Sequence, residues 1–278
     1  MNSHLYLDLV DAIGVCFSEI DGLPSLATLR LTFRRFEKID PQRVTGPMSW
    51  QSRVQRSLFK AVTWDQRCES SVTNLILENV LAFRDDDDST SELFRGYMGT
   101  ISNLSISAVI STIIPSSDYE NSFREFWAFT IPNQFLSPAQ STLTSLTLHS
   151  DELVGVGNYH IECPHLEFMS LSQLVFVFQA ADEVDFISRQ RCLTRIELRS
   201  CIVLHHFTSA VLWSHIWKRI GENLKSLEYL EVDFAQNPYI HVPGHPNGGE
   251  TDGVLQEDET SLQTLQAALH SRRASRIV

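Results

Sequence analysis

The sequence predicts an α/β repeat fold, a solenoid in which parallel strands line a concave face and helices cover the convex one. Three observations lead there. The spacing apolar-x-x-apolar-x-apolar recurs seven times. Within each unit the last two apolar positions lie two residues apart, the period of a strand with one buried face. Segments of helical spacing separate the units, which is what a chain needs to return to the start of the next parallel strand. A unit of this size cannot bury its apolar side alone, so neighbours have to stack. The competing arrangement of the same elements is an ordinary doubly wound α/β domain.

Taken in order, residues 1–22 carry a stripe of Leu5, Leu9, Ile13, Phe17 and Ile20, read as an amphipathic capping helix. The repeat domain, residues 23–235, opens with Leu26-Leu29-Leu31. An insertion with Pro41 and Pro47 follows, then a second stripe of Val54, Leu58 and Val62. After Val72-Leu75-Leu77 come four adjacent aspartates, Asp85 to Asp88, which repel one another and want water. They lack the alternating oxygens, glycine and distal glutamate of a calcium loop and read as a solvated loop. Ile101-Leu104-Ile106 is the third unit, and Phe123, Phe126 and Trp127 form the helix before the fourth, Leu143-Leu146-Leu148. Leu166-Met169-Leu171 precedes a short helix with an acidic start, Asp182-Glu183, and apolar Val184 and Ile187. Leu193-Ile196-Leu198 leads to a helix from Ser209 to Ile220 that is apolar on two sides and expected to be nearly buried, and Leu227-Leu230-Val232 is the seventh unit.

The chain then changes character. Pro238, Pro243, Pro246, Gly244, Gly248, Gly249 and Gly253, with Glu257-Asp258-Glu259, predict a mobile loop over residues 236–259. Thr260 or Ser261 would cap a last helix in residues 260–278, where Leu262, Leu265 and Leu269 share a face and cover the end of the stack. Its basic tail, Arg272-Arg273-Ala274-Ser275, has the form of a basophilic-kinase site, although short matches of this kind are commonly no more than exposed basic ends.

Composition narrows the role. With 43% hydrophobic residues in 278 the chain can bury a substantial core, and its net charge of -12 disfavours a surface built to neutralise phosphates. Nucleic acid and anionic membrane are therefore excluded as first partners. Asp8 and Asp11 interrupt the apolar start, so it does not read as a secretory signal, and no window reaches the ~18 apolar residues of a membrane span. Five scattered cysteines, Cys16, Cys68, Cys163, Cys192 and Cys201, read as reduced thiols of a cytoplasmic or nuclear protein.

Signals of chemistry are weak. His160, Cys163 and His165 cluster without the spaced second pair that zinc wants, and Pro164 makes the group a turn into the next strand. Gly155-Val156-Gly157 lacks the third glycine and following helix of a dinucleotide fingerprint. The glycines around Gly244 to Gly249 lack the lysine and hydroxyl of a phosphate loop. His205-His206 reads as loop surface and His215 as a packed helix residue making one hydrogen bond. No catalytic residue, cofactor or metal is assigned.

One unit carries more than the bare spacing. Leu193-Thr194-Arg195-Ile196-Glu197-Leu198-Arg199-Ser200-Cys201-Ile202-Val203-Leu204 resembles the cysteine-containing leucine-rich repeat, with Cys201 at the turn position after the strand. Cys163-Pro164-His165-Leu166-Glu167-Phe168-Met169-Ser170-Leu171 is similar to the beginning of such a repeat. The other units place Arg34, Val80, Val109, Asp151, Leu174 and Ala235 at that turn position instead of Asn or Cys. With its irregular repeats, tryptophan-containing penultimate helix and final Leu265 to Arg273 helix, residues 23–278 resemble the C-terminal region of F-box proteins of filamentous fungi. The resemblance implies an irregular leucine-rich-repeat solenoid that recruits a protein target to a cullin-RING ubiquitin ligase, while a separate F-box docks on the Skp adaptor. No F-box is visible in this sequence, so the Skp adaptor and cullin are expected only if one lies upstream.

In such strands the leucines point inward and the residues between them outward. The middle units expose short neutral residues, and the last ones expose long, charged and aromatic side chains. Phe168, Arg195, Glu197, Arg199, Tyr229 and Glu231 are therefore the candidate partner-binding residues of a non-enzymatic scaffold. The bland reading is a solvated strand surface with cross-strand pairs such as Arg199 with Asp233. Two other readings stay open: an α/β enzyme whose catalytic groups converge from distant positions, and a free-standing repeat protein unrelated to ubiquitination.

Overall fold

The computed structural model describes residues 26–33, 54–59, 71–82, 92–109, 123–155, 159–177, 182–205, 212–241 and 251–276. The chain divides into two compact units, Met1–Leu143 and Thr144–Val278. The N-terminal helix, the Pro41–Pro47 insertion and the aspartate run all lie outside the described residues, as do Val62, Val156, Gly157 and His206.

Both units are α/β with parallel strands. In the first, β1 (Thr28–Thr32), β2 (Asn74–Leu81) and β3 (Asn103–Val109) pair in chain order. In the second, β4 (Ser145–Gly155), β5 (Phe168–Val177), β6 (Arg195–His205) and β7 (Tyr229–His241) do the same. The pairing register follows the apolar triplets. Leu29 lies opposite Leu75 and Leu75 opposite Leu104 in the first unit, and Leu146, Met169, Ile196 and Leu230 form the corresponding row in the second. Of the twenty-one triplet residues, all but Leu26 and Val232 are buried. A one-residue slip would turn every one of these rows to the opposite face, which is why the spacing specifies the register.

Five of the strands, β2, β3, β5, β6 and β7, start in the same way. Thr73 and Asn74 both donate their N–H groups to the carbonyl of Ala27, and Ser102 and Asn103 donate theirs to Thr73. Glu167 and Phe168 do so to Thr144, Thr194 and Arg195 to Glu167, and Glu228 and Tyr229 to Thr194. The first apolar residue of several triplets also closes a turn on its own chain: Ile101 on Met98, Leu166 on Cys163, Leu193 on Gln190 and Leu227 on Leu224. The strands depart from regular pairing at a shared place. Asn79, Gln173 and Ser200 have positive φ of 56°, 59° and 51°, and each stands two residues beyond the last leucine of its triplet. The next residues, Val80, Leu174 and Cys201, are buried. Cys201 thus lies inside the continuous strand β6, after a backbone irregularity, and not in a turn that ends it.

Helices fill the connections. Residues 54–59 are helical, and Gln55 is buried there, donating to and accepting from the backbone of Leu81 at 3.2 and 2.9 Å. Helix α1 (Glu92–Met98), which the spacing did not reveal, buries Phe94, Tyr97 and Met98. The helix before the fourth triplet is π-helical over Phe126–Leu136, with Pro132 inside it and the Ser137 N–H donating to the Pro132 carbonyl. Proline removes one intrahelical donor, and the wider turn reroutes the ladder around it. Phe59, Phe94 and Phe135 meet there with ring centroids 5.6 to 6.0 Å apart.

In the second unit α2 (Asp182–Arg189) buries Phe186 and Ile187, and Gln190 just after it is fully buried. The Gln190 side chain accepts from the Cys163 N–H at 2.7 Å and donates to the carbonyls of Ile161 and Phe186 at 2.9 and 2.7 Å. It ties one connection to the next and satisfies three backbone groups that no ladder reaches. Helix α3 (Trp213–Asn223) buries Trp213, Ile216, Trp217 and Ile220 but leaves His215, Lys218 and Glu222 exposed, so it is one-sided where a nearly buried helix was expected. Trp213 and Trp217 stack at 4.8 Å and 14°. His215 is exposed instead of packed, because its ring turns back to accept from the Leu212 N–H at 3.3 Å.

The C-terminal region differs most from expectation. Residues 236–241 continue β7 and residues 251–259 already belong to α4 (Thr251–Arg276), where a loop over 236–259 was predicted. Residues 242–250 lie outside the described residues. Thr260 is therefore not a cap; its hydroxyl donates to the Gln256 carbonyl inside the helix at 2.7 Å. Leu265 and Leu269 are buried as expected, and Leu262 is half-buried. A β-carbon on Gly221 would stand 3.1 Å from the Leu265 side chain, so α3 and α4 pack closely at that glycine.

Candidate functional site

The pleat of β5, β6 and β7 sends alternate residues outward, and the register lines them up in rows. Phe168, Arg195 and Tyr229 are direct neighbours in one row, and Ser170, Glu197 and Glu231 in the next. Arg199 lies one row further, opposite Asp233. All six side chains proposed from the sequence stand on this one face.

Their contacts form a single network. The Arg195 guanidinium lies between two rings, its carbon 4.5 Å from the Tyr229 centroid and 5.7 Å from that of Phe168. The same guanidinium donates to Glu197 through Nε at 3.0 Å and through a terminal nitrogen at 2.6 Å. Arg199 donates to the other Glu197 oxygen at 3.0 Å, and the Ser170 hydroxyl approaches that oxygen at 3.4 Å. Tyr229 donates to Glu231 at 3.1 Å, and Glu231 lies 3.9 and 4.0 Å from the guanidinium groups of Arg195 and Arg199. Arg199 thus pairs with Glu197 and Glu231, while the pairing foreseen was with Asp233.

Burial is unequal across the network. The Glu197 side chain is 8% exposed, whereas those of Arg195 and Arg199 are 48% and 53% exposed. A carboxylate removed from water has to be met by charge-assisted donors, and both arginines are fixed in place by meeting it. The outcome is a pair of half-exposed guanidinium groups, one stacked between aromatic rings, whose side-chain entropy is already spent before any partner arrives. The more exposed Glu231 contacts are screened by water and add only tenths of a kcal/mol.

Two participants were not foreseen. Ser170 belongs to the same outward row as Glu197, and its contact was implicit in the register. Arg273 reaches the face from α4, with its guanidinium carbon 5.6 Å from the Tyr229 ring and a hydrogen bond to the Glu228 carbonyl at 2.9 Å. Only the path of the last helix brings it there, and no local spacing announces it.

The first unit has a smaller counterpart. Arg30 on β1 donates to Glu78 on β2 through Nε at 3.1 Å, and Thr32 donates to the same carboxylate at 2.8 Å. These hydrogen bonds, with Arg30 foremost, hold the Glu78 carboxyl below its ordinary range.

Other candidates separate into structural roles. His160 and His165 are exposed and Cys163 is buried; His160 Nδ1 faces an Arg189 nitrogen at 3.1 Å. Among the described residues no three His, Cys, Asp or Glu side chains come together as a metal cluster. Burial pushes the Cys163 thiol up to about 12 and the Cys201 thiol up to about 11, so neither is a ready nucleophile. Cys192 is an exposed free thiol. His205 is the last residue of β6 and not in a loop. Among the described residues no helix is long and apolar enough to cross a membrane. Comparisons of the chain with protein-family models, with curated proteins and with solved structures found no match.

Proposed function

We propose that this chain is an irregular leucine-rich-repeat protein that acts without catalysis, as a protein-binding scaffold of the cytoplasm or nucleus. Its role is substrate recognition in an F-box type ubiquitin ligase. The partner sits on the outward face of β5 to β7, on Phe168, Arg195, Glu197, Arg199, Tyr229 and Glu231. The observation that carries the reading is the connected cluster itself. Two arginines meeting one nearly buried carboxylate, one of them stacked over a tyrosine ring, have the composition and order of an interface anchor. The repeat part of the reading draws support from the shared strand starts, the matched triplet register and the three left-handed residues at one repeat position.

The test begins with a partner identified by cross-linking in cells and then purified. Arg195→Ala/Tyr229→Ala should weaken its binding to the folded chain by about 100-fold, roughly 2.7 kcal/mol. Unchanged affinity in a variant that keeps the wild-type circular dichroism and unfolding midpoint would remove this face as the site. The ligase part is tested separately: the gene product should co-purify with the Skp adaptor and a cullin, and its absence from both would leave a scaffold without ligase membership.

A further inference from the structure

The basic tail that the sequence singled out is built into a latch. Arg272 is half-buried and donates from one terminal nitrogen to the Leu224 carbonyl at 3.0 Å and from the other to the Gly221 carbonyl at 3.1 Å. These carbonyls end α3, so Arg272 satisfies groups that a helix C-terminus leaves without intrahelical partners. Arg273 holds the Glu228 carbonyl and stacks over Tyr229, and Arg276 pairs with the Glu228 carboxylate. Three arginines of the last turns of α4 thus fasten it to the segment between α3 and β7. Ser275 stands among them, exposed, with its hydroxyl donating only to the Arg272 carbonyl of its own helix at 2.8 Å. Arg272 and Arg273 occupy the third and second positions before it, the arrangement that arginine-directed kinases read.

We propose that Ser275 is a phosphorylation site and that its phosphate opens this latch. In the transfer, the Ser275 Oγ forms a bond to the γ-phosphorus of a nucleoside triphosphate. The bond from that phosphorus to the β,γ-bridging oxygen breaks, the nucleoside diphosphate leaves, and the hydroxyl proton passes to a carboxylate of the kinase. Two physical effects then act in one direction. A dianionic group in the last turn opposes the helix dipole and melts that turn. The phosphate also offers Arg272, one helical turn away, and the adjacent Arg276 a stronger acceptor than a neutral carbonyl or a single carboxylate. Both arginines leave Gly221, Leu224 and Glu228, and Arg273 leaves Tyr229 with them. Because Arg272 is engaged when the latch is closed, the kinase acts on the fraction of molecules whose last turn has frayed. The inference does not depend on what the face of β5 to β7 binds.

The experiment treats the full chain with ATP and a kinase that prefers arginine two and three residues before its acceptor, with Ser275→Ala alongside. Mass spectrometry should place one phosphate on Ser275, and Ser275→Ala should lack it. Amide exchange in residues 221–228 and 270–276 should then rise by about tenfold in the phosphorylated chain, with exchange in β5 and β6 unchanged. Arg272→Gln should give the same local rise without any kinase. No phosphate on Ser275 while a control peptide is fully modified overturns the proposal, and so does phosphate on Ser275 with unchanged exchange at the latch.

Discussion

Ser200 holds a left-handed backbone with φ of 51°, a conformation that costs a residue with a β-carbon roughly 1–2 kcal/mol. Gln173 and Asn79 hold the same conformation at the same repeat position, and only asparagine among the three is well suited to it. The reward lies one residue later, where the chain turns Cys201, Leu174 and Val80 into the core. Ser200→Gly should therefore stabilise the protein by about 0.5–1 kcal/mol, the strain relieved outweighing the added freedom of the unfolded chain. Ser172→Gly, in ordinary strand backbone on the same sheet, should destabilise it by a similar amount. Denaturant midpoints of the two variants check the pair, and a loss at Ser200 equal to that at Ser172 would contradict the strain. This position was not legible in the sequence, because the sites are filled by Ser, Gln and Asn and not by the glycine that normally marks positive φ. The leucines were legible for the opposite reason: burial on one face repeats every second residue, and chance does not keep that spacing through seven units.

At the scale of elements, the last helix shows what local pattern cannot supply. Asp258, 5% exposed, accepts the Ser214 N–H at 2.7 Å and the Tyr239 hydroxyl, and that hydroxyl accepts the Trp213 N–H at 3.0 Å. The start of α3 is thus capped from two distant elements, β7 and α4, and no side chain at Leu212 does the work. The Glu257-Asp258-Glu259 run looked like loop charge, yet its middle residue is a buried cap that fixes α4 against α3. The glycines and prolines around it misled in the same way, since Gly253 and Pro238 are tolerated inside α4 and β7. Asp258→Ala should cost about 2–4 kcal/mol, combining a lost helix cap with a buried tyrosine hydroxyl and backbone N–H left short of partners. Tyr239→Phe, which keeps the Asp258 bond to Ser214, should cost less, about 1–2 kcal/mol. Thermal or denaturant unfolding of the two variants orders them, and equal small losses would show that α4 is held by Leu265 and Leu269 alone.

At the scale of the whole molecule, the protein carries a net charge of -12, and among the described residues three buried groups bear on its response to base. Burial raises the thiols of Cys163 to about 12 and Cys201 to about 11, and burial with the Asp258 hydrogen bond raises the Tyr239 hydroxyl as well. All three keep their protons when folded at a pH where an unfolded chain releases them, near 8.5 for a thiol and 10 for a tyrosine. The unfolded state therefore binds fewer protons, and stability falls as pH rises. The contribution is complete below about pH 8.5 and declines above it, by at most about 1.4 kcal/mol per pH unit for each thiol, with Tyr239 joining above about pH 10. Unfolding free energy should accordingly be level from about pH 7 to 8 and drop between about pH 8.5 and 10.5. Cys163→Ala/Cys201→Ala should be less stable at neutral pH, through lost packing, and yet flatter over that alkaline range. An equal alkaline slope in wild type and double variant would mean that the thiols are not the groups whose protons the fold retains.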